Sequence, residues 1–267
     1  MLKKRLIPVV LLQNGQLVRS EAFSTHQVLG NPIHEVERFN QWSVDELIYI
    51  DISDDDTIDG RQDMRVQRET SPLGILESVA AHCFMPLTFG GRIRTVDDVR
   101  ARILRGADKV TLATAAIETP ELVTAAASIF GSQAVVVVID VKRSDSGTYE
   151  VVYHHGRKRT GLSPESFAQE VERLGAGEIL LQAVDRDGRA GGYDLDLIRA
   201  VTAVTSIPVI ALGGVGTLDH FAECIAAGAS AAAAANIFHF IELSDRKAKR
   251  AMAQAGIDVR VPGHQTK

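Results

Sequence analysis

Eight short apolar runs recur along this chain, each followed by a longer segment with helical spacing of its apolar residues. They are RLIPVVLL (5–12), ELIYIDI (46–52), MPLTFG (85–90), KVTLA (109–113), AVVVVID (134–140), EILLQAV (178–184), IPVIALG (207–213) and SAAAAA (230–235). Strands this continuously apolar are buried on both faces, which requires a parallel sheet covered by helices. Eight strand–helix units are the number that closes a barrel. The competing arrangement is an open doubly wound sheet, but no Gly-x-Gly-x-x-Gly follows the first run. The expected fold is therefore an α/β (βα)8 TIM barrel.

The chain also repeats itself. GGRIRTVDDVRARILRGADKV (90–110) is echoed by GGVGTLDHFAECIAAGASAA (213–232), DELIYI (45–50) by GEILLQ (177–182), and PVVLLQNGQLV (8–18) by VVVIDVKRSDSGTYEV (137–152). Each half holds four units. The pattern predicts two duplicated half-barrels, about 1–130 and 131–260 with a boundary near Gly131, inside a single domain spanning 1–267. Helix starts are expected at Thr95, Thr119-Pro120-Glu121, Ser163-Pro164-Glu165 and Thr217, and glycine ends at Gly106, Gly175 and Gly228.

Composition narrows the classes of function. Hydrophobic residues make up 45% and charged ones 24%, with a net charge of −5, so a basic nucleic-acid face is not expected. No apolar run approaches the ~20 residues that cross a bilayer. The N-terminal MLKKRLIPVVLLQNGQ reads as a strand rather than a leader, because Pro8 interrupts it and no small-residue cleavage site follows. Cys83 and Cys224, both in helix-like apolar segments, read as buried thiols of a reducing cytoplasm.

Chemistry is expected where strands end. Gly90-Gly91, Gly213-Gly214 and Asp187-Gly188 let backbone N–H groups approach an anion, so a ligand phosphorylated at both ends would fit the repeat. Asp140 closes the fifth strand and suits general acid/base work; Asp51 and Asp185 hold similar positions. The matching place on the first strand is Leu11. At the strand starts stand Arg5, Glu46, Lys109 and Glu178, which read on their own as a mutually neutralising ring plugging the barrel floor. The acidic run DISDDDTIDGRQD (51–63) reads as a solvated loop rather than a metal site. His154-His155 reads as an exposed hairpin, and His239 as a packed side chain, with Asn236 a possible phosphate donor. No metal or cofactor is expected.

DELIYIDI, GADKV, FGSQAVVVVID, RLGAGEILL, DRDG, GGYDL, IPVIALGGVG and IFHF together resemble the cyclase subunit of imidazole glycerol phosphate synthase over almost the whole chain. The resemblance implies a βα barrel, a two-phosphate ligand and ammonia supplied by a class I glutaminase in a heterodimer. Arg5, Glu46, Lys109 and Glu178 match the gate that admits ammonia, and Asp108 matches a glutaminase-interface position. The phosphate-binding positions it points to are Gly91, Thr114, Asp187, Gly188, Gly214, Ala235 and Asn236.

Departures cluster at the other end. Of the cyclase's two acids, the second matches Asp140 and the first is Leu11; a leucine can neither accept nor donate a proton. Gln13, Arg19, Arg92, Ala113, Leu212 and Asn236 replace further family residues. LIPVVLLQNGQLV, NPIHEVERFN, VDELIYIDIS and HCFMPLTFGG are more similar to a paralogous branch of surface-glycan biosynthesis that turns acetamido into acetamidino sugars. That branch implies ammonia delivery to an ATP-dependent sugar amidotransferase. The two alternatives are a working cyclase of histidine biosynthesis, which would be a lyase, and a non-catalytic scaffold.

Overall fold

The computed structural model describes residues 3–42, 44–54, 71–240 and 244–260. In chain order the elements are β1 (Arg5–Gln13), β2 (Gln16–Glu21), β3 (Thr25–Gly30), α1 (Pro32–Gln41), β4 (Leu47–Asp51), α2 (Pro72–Ala80), β5 (Leu87–Gly90), α3 (Val96–Ile103), β6 (Lys109–Leu112), α4 (Thr114–Glu118) and α5 (Glu121–Phe130). There follow β7 (Val135–Arg143), β8 (Tyr149–Tyr153), β9 (Lys158–Arg159), α6 (Pro164–Arg173), β10 (Glu178–Ala183), α7 (Leu195–Thr202), β11 (Val209–Leu212), α8 (Asp219–Ala226), β12 (Ala231–Ala234), α9 (Ile237–Phe240) and α10 (Ser244–Gln254).

The strands β1, β4, β5, β6, β7, β10, β11 and β12 pair in parallel in that order, and β12 pairs back onto β1. The sheet therefore closes into an eight-stranded parallel barrel with helices between its strands, a (βα)8 TIM barrel. Side chains alternate across it. Ile7, Val9, Ile48, Val136, Leu180 and Ile210 fill the inside, beside the small Ala231 and Ala233. Their neighbours Leu6, Val10, Leu47, Val137, Ile179 and Val209 face the helices.

Local sequence explains most helix starts. Thr95 and Asp98 form a capping box on α3, Ser163 caps α6, and Asn31 and Asp194 cap α1 and α7. Two expected caps are absent. Thr119 instead ends the short α4, its N–H donating to the carbonyl of Ala115 at 2.9 Å, and α5 starts behind Pro120 without a side-chain cap. At α8 the His220 ring accepts from the N–H groups of Gly216 and Thr217 at 3.1 and 3.3 Å, which leaves the Thr217 hydroxyl without that role. Cys224 is buried in α8, but Cys83 lies beyond the end of α2 and only half-buried, its thiol donating to the Met85 carbonyl.

Two antiparallel hairpins extend the barrel strands at their C-terminal ends. β2 folds back on β1 and pairs with β3, while β8 folds back on β7 and pairs with β9. Among the described residues, no helix is long and apolar enough to cross a membrane.

Candidate functional site

The N-terminal opening of the barrel is closed by charge. Arg5 opens β1, Lys109 opens β6, Glu178 opens β10 and Glu46 precedes β4, all in the inward register of their strands. Arg5 Nη1 lies 2.6 Å from Glu46 and 2.8 Å from Glu178, and Lys109 Nζ lies 3.0 Å from each. Each cation thus bridges both carboxylates. Burial alone would push the Glu46 carboxyl up, but Arg5 and Lys109 overcome it and hold the group below its ordinary value. Burial likewise opposes the charge on Arg5, and the two glutamates more than offset it. Asp108 is exposed beside the ring, where its carboxylate accepts from the Leu87 N–H at 2.8 Å.

Above this ring the lining is mostly apolar, with the buried Thr88 and Thr111 hydroxyls among it, up to the C-terminal mouth, where a cavity of ≈ 560 Å³ opens. Asp140 and Leu11 both line it, with Gln182, Thr111 and Val138. Burial, reinforced by the charge of Asp187, pushes the Asp140 carboxyl up to about 7, and its Oδ1 is enclosed without a hydrogen-bond partner. Near neutral pH this side chain therefore exchanges readily between acid and base forms. Leu11 offers no second titratable group.

A family model described as "Histidine biosynthesis protein" matches residues 5–244. The chain belongs to the histidine biosynthesis protein family. The match spans all eight barrel strands, from the ring at the floor to both glycine-rich turns at the mouth.

The positions that this family likeness points to for phosphate separate into two places. Gly91 and Thr114 line the large cavity. Asp187, Gly188, Gly214, Ala235 and Asn236 line a second cavity of ≈ 230 Å³ next to it. Both glycine turns need glycine: a Cβ on Gly91 (φ +97°) would stand 2.1 Å from the Asp51 carbonyl oxygen, and one on Gly214 (φ +101°) 2.1 Å from that of Gly192.

Two expectations change here. Asn236 lines the second cavity, but its Nδ2 donates to the Ser20 carbonyl at 2.9 Å, so one of its two amide protons is used within the fold. Asp187 accepts from the Ser20 hydroxyl at 3.0 Å, and burial pushes its carboxyl up to about 6. The β2 strand thus docks onto this second cavity. The acidic run does not begin as a solvated loop either. Asp51 is buried, its Oδ1 accepting from the Ser53 hydroxyl at 2.6 Å and its Oδ2 lying 4.0 Å from Arg92 Nη1. Asp51 continues the parity of Leu47 and Tyr49 and is buried on that side of β4, while 55–63 lies outside the described residues.

Sequence reasoning missed Arg102. It is buried on α3 and donates to the carbonyls of Gly91 and Asp98 at 2.8 and 3.0 Å, holding the glycine turn against its helix. The turn itself carries Arg92 in a left-handed conformation (φ 58°), a guanidinium lining the cavity where a third glycine would leave room. Asp185 accepts from the Arg143 N–H at 2.6 Å and is not among the residues lining the large cavity. His239 packs against Glu35 at 3.0 Å. His154 and His155 do occupy a hairpin turn, but half-buried and folded over the mouth rather than exposed, in contact with Glu118 and Asp54. Among the described residues no group of three or more His, Cys, Asp or Glu side chains is disposed to hold a metal ion.

Proposed function

We propose that this barrel is the ammonia-conducting subunit of a glutamine amidotransferase system and does not itself form an imidazole ring. A class I glutaminase docks on the N-terminal face, ammonia crosses the ring of Arg5, Glu46, Lys109 and Glu178, and the apolar interior carries it to the mouth beside Asp140. There it passes to an ATP-dependent sugar amidotransferase that builds an acetamidino sugar of a surface glycan.

The observation that carries this reading is the contrast between the two ends. The floor keeps four charges that satisfy one another, and when the flexible Lys109 stem swings aside to open a path, Arg5 still bridges Glu46 and Glu178. At the mouth, the position that the resemblance matches to the cyclase's first acid is Leu11, which cannot carry a proton. Docking on the floor side is supported by apolar exposure in the loops leading into β5 and β6, where Phe84 is 89% and Leu104 77% exposed. Asp108 lies on the same side.

A second reading, a working cyclase of histidine biosynthesis, draws on Asp140 and its carboxyl pushed up to about 7. Complementation of a cyclase-deficient histidine auxotroph separates the two. The proposal expects no growth, and growth would refute it.

A further inference from the structure

The internal repeat gives the mouth two glycine turns, and their left-handed pairs differ. After β11 the pair is Gly213 and Gly214 (φ 102° and 101°), and the backbone from Gly213 to Gly216 walls the smaller cavity. After β5 the pair is Gly91 and Arg92 (φ 97° and 58°). A side chain in the left-handed region strains the backbone, so a guanidinium is kept here at a conformational cost. Strain of this kind points to a task that glycine does not perform.

Backbone donors at the start of α3 are committed. The N–H groups of Arg94 and Thr95 both donate to Asp98 Oδ2, at 3.0 and 2.9 Å, so an arriving anion finds a carboxylate already seated there. Recognition at this turn therefore passes to the side chain. Arg92 lines the large cavity, and its Nη1 lies 4.0 Å from Asp51 Oδ2, an oxygen enclosed without a hydrogen-bond partner. At that distance Asp51 attracts the guanidinium without hydrogen bonding to it. The lining charges then limit the ligand. Among the described lining residues Arg92, Arg94 and Arg157 stand against Asp51, Asp54, Glu118 and Asp140. With neutral histidines and a proton on Asp140, three positive charges meet three negative ones. Such a lining suits a single negative charge beside Arg92, not the charge of about −1.5 to −2 on a phosphate monoester near neutral pH.

We infer that Arg92 is the specificity-determining residue of the mouth, and that it reads the carboxylate of a hydroxyl-bearing small molecule, a sugar acid, in place of a phosphate. A guanidinium presents two parallel N–H groups in one plane, which a planar carboxylate accepts as a pair. Phosphate can use the same fork, but its second charge is unmatched in a lining that is already neutral. The Arg92 side chain also stands where a phosphate would approach the backbone of the turn. Thr114, Thr119 and Gln182 line the same cavity and offer hydroxyl and amide groups to a polyhydroxylated body. Asp51 is the positioning residue behind the fork. The inference concerns the mouth alone and stands whether or not a glutaminase docks on the floor.

Titration of the whole chain with D-glucuronate, D-glucose and the phosphate monoester of D-glucose tests it at constant ionic strength, because the three share a ring and differ in the charged group. Calorimetry reads the affinity, and the amide shifts of Gly91 and Thr114 read the place. The parent is expected to bind D-glucuronate about tenfold or more tighter than the phosphate ester, with D-glucose weaker still. Arg92→Gly suits the left-handed turn and keeps the fold; it is expected to weaken D-glucuronate about tenfold or more and to remove the preference over the phosphate ester. Arg92→Lys keeps the charge but not the fork, and is expected to weaken D-glucuronate about fivefold. Equal or tighter binding of the phosphate ester by the parent, D-glucuronate affinity unchanged in Arg92→Gly, shifts confined to Gly188 and Gly214 of the smaller cavity, or no binding of D-glucuronate would each overturn the inference.

Discussion

Lys109 Nζ donates to Oε2 of Glu46 at 3.0 Å, joining the first residue of β6 to the residue before β4 across the floor of the barrel. With Arg5 and Glu178 it forms a ring of two cations and two carboxylates whose charges cancel, so the floor is sealed without carrying a net charge inward. Removing either cation leaves carboxylates in excess where water screens them poorly.

Lys109→Ala is accordingly expected to destabilise the fold by about 1–3 kcal/mol in urea unfolding near neutral pH. The sign with pH follows from Glu46, whose carboxyl is held below its ordinary value. Its contribution is present above that value and is lost as pH falls through the depressed one, so the gap between variant and parent narrows in acid.

Asp140 behaves in the opposite sense. The folded protein holds its proton more tightly than an unfolded chain does, so stability falls as pH rises from the ordinary carboxylate range toward about 7. Asp140→Asn removes that loss. Near pH 8 the variant is expected to be more stable than the parent by on the order of 2 kcal/mol, and near pH 4.5 the two should be about equal. Equal stabilities at both values would contradict the buried, proton-bearing state.

Leu11→Asp places a second carboxyl in a wall built of Leu11, Ile50 and Val138. It should lower stability by about 1–3 kcal/mol and raise the Asp140 value further, by burial and by like charge. Thermal unfolding reads the first effect, and NMR titration of the carboxyl carbons the second.

Gly91→Ala tests the turn that Arg102 holds. A methyl group at φ +97°, 2.1 Å from the Asp51 carbonyl oxygen, forces the turn to move, at a cost of about 2 kcal/mol or more in urea unfolding.

Much of this architecture was legible in the sequence, for identifiable reasons. Continuous runs such as Val135–Ile139 admit only a doubly covered strand, and Thr95 and Ser163 carry their own caps. The ring was legible because Glu46, Ile48 and Ile50 share one parity, so a charge at the start of an inward series must lie at the floor. Other features lay beyond local pattern. The five-residue α4 is shorter than two helical turns, so no periodicity marks it. Arg102 sits among charged neighbours on α3 and reads as solvent-facing until the Gly91 carbonyl is seen to need a donor. Asp51 shares the parity of Leu47 and Tyr49 and is buried on the helix-facing side of β4, whatever the polarity of the run it begins. Neither Ala22-Phe23 nor His154-His155 carries turn chemistry of its own, because contacts from distant elements shape the second and docking of β2 onto the Asp187 cavity steadies the first.

The most direct test of the central claim is the turnover of the partner glutaminase with and without this chain, in parent form and with Glu46→Gln or Lys109→Ala. The account predicts that the parent barrel associates with the glutaminase and stimulates it, and that either substitution keeps association but releases ammonia to bulk solvent instead of to the acceptor. Failure to associate together with absence of stimulation, or unchanged ammonia transfer in both variants, would contradict it.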